Sequence, residues 1–216
     1  MAKHQFAGRP RALVGIAWAI ACVATAIGED AKEPGWRRYR EGPMTLADFQ
    51  KPPPSPLPRS GRLQLRARTW TELMYRYRYQ GDVENGKAKA TATEVDLFAV
   101  IHRDKSWNGF PKDRALLDHE QGHFDLAEIA ARGARKLLKE RVTEKVLTGE
   151  GPDRASAKAD LARKIEFYLR AFTRQRDLAD TAYDEQTRHG SNRAVQAEHR
   201  KKQLEQLRAS QEKDEK

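Results

Sequence analysis

Residues 116–132 read LLDHEQGHFDLAEIAAR, and the rest of the chain is read outward from this stretch. It contains His119-Glu120-Gln121-Gly122-His123, an H-E-x-x-H pattern. On an α-helix two residues four apart lie about 40° apart around the axis and about 6 Å apart along it. Both imidazoles can then reach one tetrahedral metal ion. Glu120 follows the first histidine and points beside the ion, where a general base acting on water would sit. The flanks support a helix: Leu116, Leu126, Ala127, Ala130, Ala134, Leu137 and Leu138 recur at helical spacing. Gly122 is costly inside a helix, by about 1 kcal/mol relative to alanine. Its presence implies a close approach to the backbone at that point, and Gly133 invites the same reading.

The chain opens with Lys3, Arg9 and Arg11, followed by an uncharged apolar run over residues 12–27. A basic start, a short apolar run and the small-x-small site Ala24-Thr25-Ala26 predict a secretory signal peptide over residues 1–26. The run is short for a membrane span, which needs about 20 apolar residues. No membrane span is therefore expected once the signal is cleaved, and the predicted location is secreted or periplasmic. Cys22 is the single cysteine and lies in that run, so the mature chain has no disulfide or thiolate chemistry. The 216 residues carry 41 basic and 31 acidic side chains, a net charge of +10. Removing residues 1–26 takes away three basic groups and leaves +7. That excess favours anionic surfaces without pointing to a specific nucleic acid.

Residues 27–59 form a proline-rich lead-in, with Pro52, Pro53, Pro54, Pro56 and Pro58 close together. Within it, residues 44–49 predict a short turn that packs Leu46 and Phe49. Leu63, Leu65 and Ala67 alternate with polar neighbours, and so do Tyr75, Tyr77 and Tyr79. Both are strand patterns with one buried face. The tyrosines read either as a core face or as a stacking platform beside arginines. Asn85-Gly86 is a hairpin signal, and a further strand is expected over residues 88–102. A long helix is expected from about Lys112 to Leu147, stopped by Gly149-Glu150-Gly151-Pro152. A second helix starts near Asp153 and carries Leu161, Ile165, Tyr168, Leu169 and Phe172 on one face. Residues 183–190 read as a break. A polar helix follows, with a frayed tail over residues 201–216. The prediction is an α+β, zincin-like domain over residues 60–200: a small antiparallel sheet, then long helices, with H-E-x-x-H on the first.

A catalytic zinc site needs three protein ligands and an open position. His189 is the choice for the third, because it lies in the predicted break beside Gly190. Glu166 on the second helix is the carboxylate alternative. Leu126 and Ile129 stand where a metzincin extension would place glycine and histidine, which argues against that class. Asp125 and Glu128 are candidates for partners of the ligand rings. Tyr183 is a candidate oxyanion stabiliser, with a core tyrosine as the alternative.

The 116–132 stretch, together with YDEQTRHGSNRAVQ at residues 183–196, resembles the bacterial domain of unknown function 922, whose members are described as predicted secreted zinc-dependent proteases. The resemblance spans roughly residues 45–196, and Ser106-Trp107 and Thr187-x-His189-Gly190 belong to it. It implies Zn2+ on His119, His123 and His189, with Glu120 as base. Leu46 departs from the family's usual tryptophan, and His199 lies where an aromatic residue is common. The expectation is a monomeric, exported zinc-dependent hydrolase acting on a peptide, a protein or a cell-wall peptide. The competing expectation is a non-catalytic envelope protein that holds an anionic polymer.

Overall fold

The computed structural model describes residues 35–61 and 63–214, together with the backbone of a strand at residues 15–19. The remainder of the predicted signal peptide lies outside the described residues. The architecture is α+β: an antiparallel sheet covered on one face by long helices.

The strands are β1 (Gly15–Ala19), β2 (Trp36–Arg38), β3 (Arg59–Ser60), β4 (Leu63–Gln64), β5 (Ala67–Arg68), β6 (Thr71–Glu84), β7 (Lys87–His102), β8 (Trp107–Asn108) and β9 (Thr148–Gly151). The helices are α1 (Arg114–Thr143), α2 (Arg154–Thr187) and α3 (Arg193–Asp214). β6 and β7 form the hairpin that Asn85-Gly86 announces. Both turn residues have positive φ, 52° and 74°, as a tight two-residue turn requires. The main sheet runs β1-β6-β7-β2, and β9 adds to the β2 side of β7 further along. β3 pairs with β4, and β5 with β8, as separate small ribbons.

The helix-facing side of the sheet carries Tyr75, Tyr77, Leu97, Ala99 and Ile101, all buried in the main core. Tyr75 and Tyr77 stack with centroids 6.2 Å apart. The tyrosine stripe is thus a core face, and the buried rings of Tyr75 and Tyr77 are closed to an external polymer. Against it lie Phe124, Ala127, Ala131, Ala134 and Leu138 of α1, with Leu161, Ile165 and Leu169 of α2. The alanines let α1 sit close to the sheet. Asp113 caps α1 by accepting from Leu116 N at 3.1 Å, and Asp153 caps α2 by accepting from Ser156 N at 2.7 Å.

Three expectations need correction. Gly149-Glu150-Gly151 does more than stop a helix. It forms β9, paired with residues 88–91 of β7, after α1 has ended at Thr143. Residues 183–187 are not a break but the last turn of α2; the break is residues 188–192. Leu46 is exposed, and Met44 takes the buried place beside Phe49. The lead-in is pinned by ion pairing. Arg37 donates to both Asp48 oxygens, at 2.5 and 2.8 Å, and Gln121 on α1 accepts from Met44 N at 2.6 Å. The polar helix α3 packs on α1 with Gln203 and Leu207 buried, and Arg132 donates to Leu207 O and to Ser210. Among the described residues, no helix is long and apolar enough to cross a membrane.

Candidate metal centre

α1 and α2 pack antiparallel, and their register builds the site. His119 meets Asp184, and His123 meets Asp180. Further along, Gly133 of α1 meets the ring of Phe172 of α2. Two i, i+4 pairs, one of histidines and one of aspartates, therefore face each other across the helix interface.

His119 Nε2 and His123 Nε2 lie 3.3 Å apart, and they stand 3.1 and 3.2 Å from the same oxygen, Asp184 Oδ1. Donor atoms of these three residues all fall within 4.8 Å of one another. The outward-facing nitrogens fix the tautomers. Asp180 Oδ1, an acceptor, takes a hydrogen bond from His123 Nδ1 at 2.9 Å. Thr187 Oγ1 already donates to Tyr183 O at 2.6 Å, so its long 3.5 Å contact with His119 Nδ1 is one in which it accepts. The acceptors behind the rings favour hydrogen on both Nδ1 atoms, so both Nε2 atoms turn inward toward the carboxylate oxygen, where they carry a proton shared with Asp184 or, with a cation in its place, would offer it their lone pairs. Three converging lone-pair donors repel one another unless a proton or a cation lies between them. The donor set, two imidazoles and one carboxylate with further acceptors behind the rings, is the chemistry that suits zinc.

The electrostatics agree. Burial lowers the His119 pKa and outweighs its hydrogen bond to Asp184. Burial also works against a charged His123, but its hydrogen bonds to Asp180 and Asp184 overcome that and raise its pKa well above the ordinary value. Burial opposes ionisation of Asp184 as well. The bonds to His119 and His123, with the nearby His123 and His189 charges, nonetheless hold its carboxyl far below the usual range. The cluster is a strong seat for positive charge.

His189 belongs to the same neighbourhood, with Nδ1 3.1 Å from Asp184 Oδ1. It is held in the left-handed region at φ 50°, as is Arg188 at 51°. Such backbone conformations cost a non-glycine residue about 1–3 kcal/mol and persist where surrounding structure enforces them. Gly190, at φ 80°, is required twice: a Cβ there would also lie 3.0 Å from His119 Cβ. Glu166 is elsewhere, an exposed residue of α2 that accepts from the Tyr75 hydroxyl at 3.2 Å. Glu120 is 3 % exposed, and Thr69 donates to its Oε2 at 2.6 Å. It lines a cleft of about 930 Å³ together with His119, His123, Asp180, Asp184 and His189.

Asp125 and Glu128 do not reach the histidine rings. Asp125 accepts from Tyr39, Gln121 and Arg200, and Glu128 from Arg132 and Arg135. They tie α1 to the lead-in, to α3 and to its own next turns. His102 pairs with Glu72, and His199 pairs with Gln186 while its ring meets Tyr183 edge-on at 5.3 Å; neither is among the converging donors.

Tyr183 is placed beneath the site. Its ring stacks on His119 with centroids 4.8 Å apart and meets His123 edge-on at 5.2 Å. It is 1 % exposed, does not line the cleft, and its hydroxyl is buried against Gly122 with no hydrogen-bond partner among the described residues. A Cβ at Gly122 would lie 2.4 Å from that hydroxyl, which is the close approach the helix glycine implies. An unpartnered buried hydroxyl costs about 1–3 kcal/mol. Tyr183→Phe is therefore expected to raise unfolding free energy by about 1 kcal/mol in urea titrations. Metal content should be unchanged. A loss of stability would mean that the hydroxyl has a partner.

The sequence reading did not find Asp180 and Asp184. The signal was present as Asp180-x-x-x-Asp184-x-x-Thr187, one face of a helix, but it vanishes when residues 183–190 are read as irregular. The chain matches no protein-family model, no curated protein and no solved structure.

Proposed function

We propose that this chain is a zinc-dependent hydrolase of the zincin kind, acting on peptide bonds and exported to the cell envelope. The observation that carries the reading is the convergence of His119 Nε2, His123 Nε2 and Asp184 Oδ1 beside Glu120 in an open cleft. The likeness of residues 116–132 and 183–196 to the secreted-protease family supports it, as does the predicted signal peptide. His119, His123 and Asp184 would hold the ion, and His189 braces the carboxylate. A bound zinc supplies a Lewis acid that makes water acidic near neutral pH and polarises a carbonyl.

The protein's own groups do the rest. Thr69 fixes one oxygen of Glu120, and the other carries no protein hydrogen bond among the described residues. That oxygen takes a proton from the attacking water and returns it to the departing amine. Asp180 and Thr187 hold the rings in the tautomer that turns Nε2 inward. Tyr183 supports both rings from below.

Glu120→Gln keeps the shape and removes the base. Hydrolysis of any peptide cleaved by the wild type is expected to fall about 10²–10⁴-fold. Zinc content and melting temperature should be retained. Full activity in this variant would overturn the reading.

A further inference from the structure

One wall of the cleft is formed by residues 66–72, and its rim is basic. Trp70 is 39 % exposed and carries two cations against its ring. Arg68 Cζ lies 5.0 Å and Lys105 Nζ 5.4 Å from the ring centroid. A cation at that distance is held by the indole quadrupole while its charge stays uncompensated. Among the described residues neither has a carboxylate partner, nor does Arg59 on the same rim.

The other charged side chains lining the cleft each have a partner that holds them in place. Arg66 pairs with Asp113 at 2.7 Å and Arg176 with Asp177 at 2.8 Å. Glu72 pairs with His102 at 2.7 Å. Asp180 and Asp184 hold the histidines, and Glu120 is held by Thr69. The cations of the cleft that lack a carboxylate partner, Arg59, Arg68 and Lys105, thus lie together along its lining, within a concave surface that concentrates their field. The guanidinium of Arg68 is also a planar fork suited to a carboxylate.

The geometry points to a carboxylate-bearing peptide as the occupant of this cleft, its acidic group held by Arg68 and Lys105 beside Trp70 and its backbone lying across Glu120. Cleavage of that peptide rests on the hydrolase reading; its binding does not. The carboxylate belongs either to an aspartate or glutamate side chain or to the peptide's own C-terminus.

The test uses the full chain carrying Glu120→Gln, so that bound peptide is not consumed, and reads the fluorescence anisotropy of labelled peptides. Four peptides of one length are compared: glutamate-containing with an amidated end, neutral with an amidated end, neutral with a free carboxyl end, and lysine-containing with an amidated end. At low salt a carboxylate peptide is expected to bind about tenfold tighter than the neutral amide, and the gain should fade as salt shortens the screening length. A gain confined to the free carboxyl end identifies a terminal carboxylate; a gain with internal glutamate identifies a side chain. Adding Arg68→Glu and Lys105→Glu, both on exposed side chains, should reverse the order in favour of the lysine peptide. Equal affinities for all four peptides, or an acidic preference that survives the charge reversal, would overturn the inference. A wild type that binds acidic peptides but cleaves none keeps this inference and removes the hydrolase. A wild type that cleaves without charge preference does the reverse.

Discussion

Asp184→Ala is expected to strip zinc from the purified protein, leaving close to none where the wild type is expected to hold about one ion per chain. The prediction follows from Asp184 Oδ1 standing 3.1 and 3.2 Å from the two Nε2 atoms, the only carboxylate oxygen in that cluster among the described residues. His123→Ala should behave likewise. His189→Ala is expected to weaken the metal by about 10–100-fold, as loss of a group that braces a ligand does. Glu166→Ala should leave the metal unchanged, because Glu166 is exposed on α2, accepts from Tyr75 and does not line the cleft. Metal analysis after dialysis against a graded chelator series separates these cases. Zinc kept in Asp184→Ala but lost in His189→Ala would make the ligand set three histidines. No zinc in the wild type, even after reconstitution, would remove the hydrolase reading altogether.

Gly149→Ala should be the most damaging conservative change in the fold. A Cβ at that position would lie 2.2 Å from Ala157 O and 2.3 Å from Leu161 N, both backbone atoms of α2. Backbone cannot swing aside as a side-chain tip can. Either β9 separates from β7 or the first turns of α2 move off the sheet. Overpacking of this kind costs about 3 kcal/mol or more. For a chain of this size that corresponds to a melting temperature lower by about 6–12 °C. Gly81→Ala is the control. Its nearest neighbour would lie 3.9 Å away and its φ is unexceptional, so its melting temperature should scarcely move. Equal effects at the two glycines would mean that β9 does not press on α2 as described.

These two sites also show what a single sequence conveys. The H-E-x-x-H helix, the Asp153 cap and the Asn85-Gly86 turn were legible because each is written within a few neighbouring residues. Gly149 was misread for a physical reason. Glycine signals freedom to a local reading, whereas here it marks a place where a strand and a helix leave no room for a side chain. Asp184 was missed for another. The last turns of α2 are polar almost all round, so hydrophobic period is silent there, and the histidine-facing aspartates gain meaning only from a helix 65 positions away in sequence. Gly122 was the exception: its local cost was visible, and the ring of Tyr183 supplied the cause.

The antiparallel register of α1 and α2 has a consequence for how the protein comes to life. A chain that has emerged as far as the end of α1 already carries the whole H-E-x-x-H signature, yet it lacks Asp180, Asp184 and the strained corner at His189. On the proposed zinc reading, metal capture would have to wait until α2 has been made, has turned back and has slid into register. An ion arriving at this site would then certify that almost the entire chain has been synthesised and packed, and an unfinished copy would remain chemically silent.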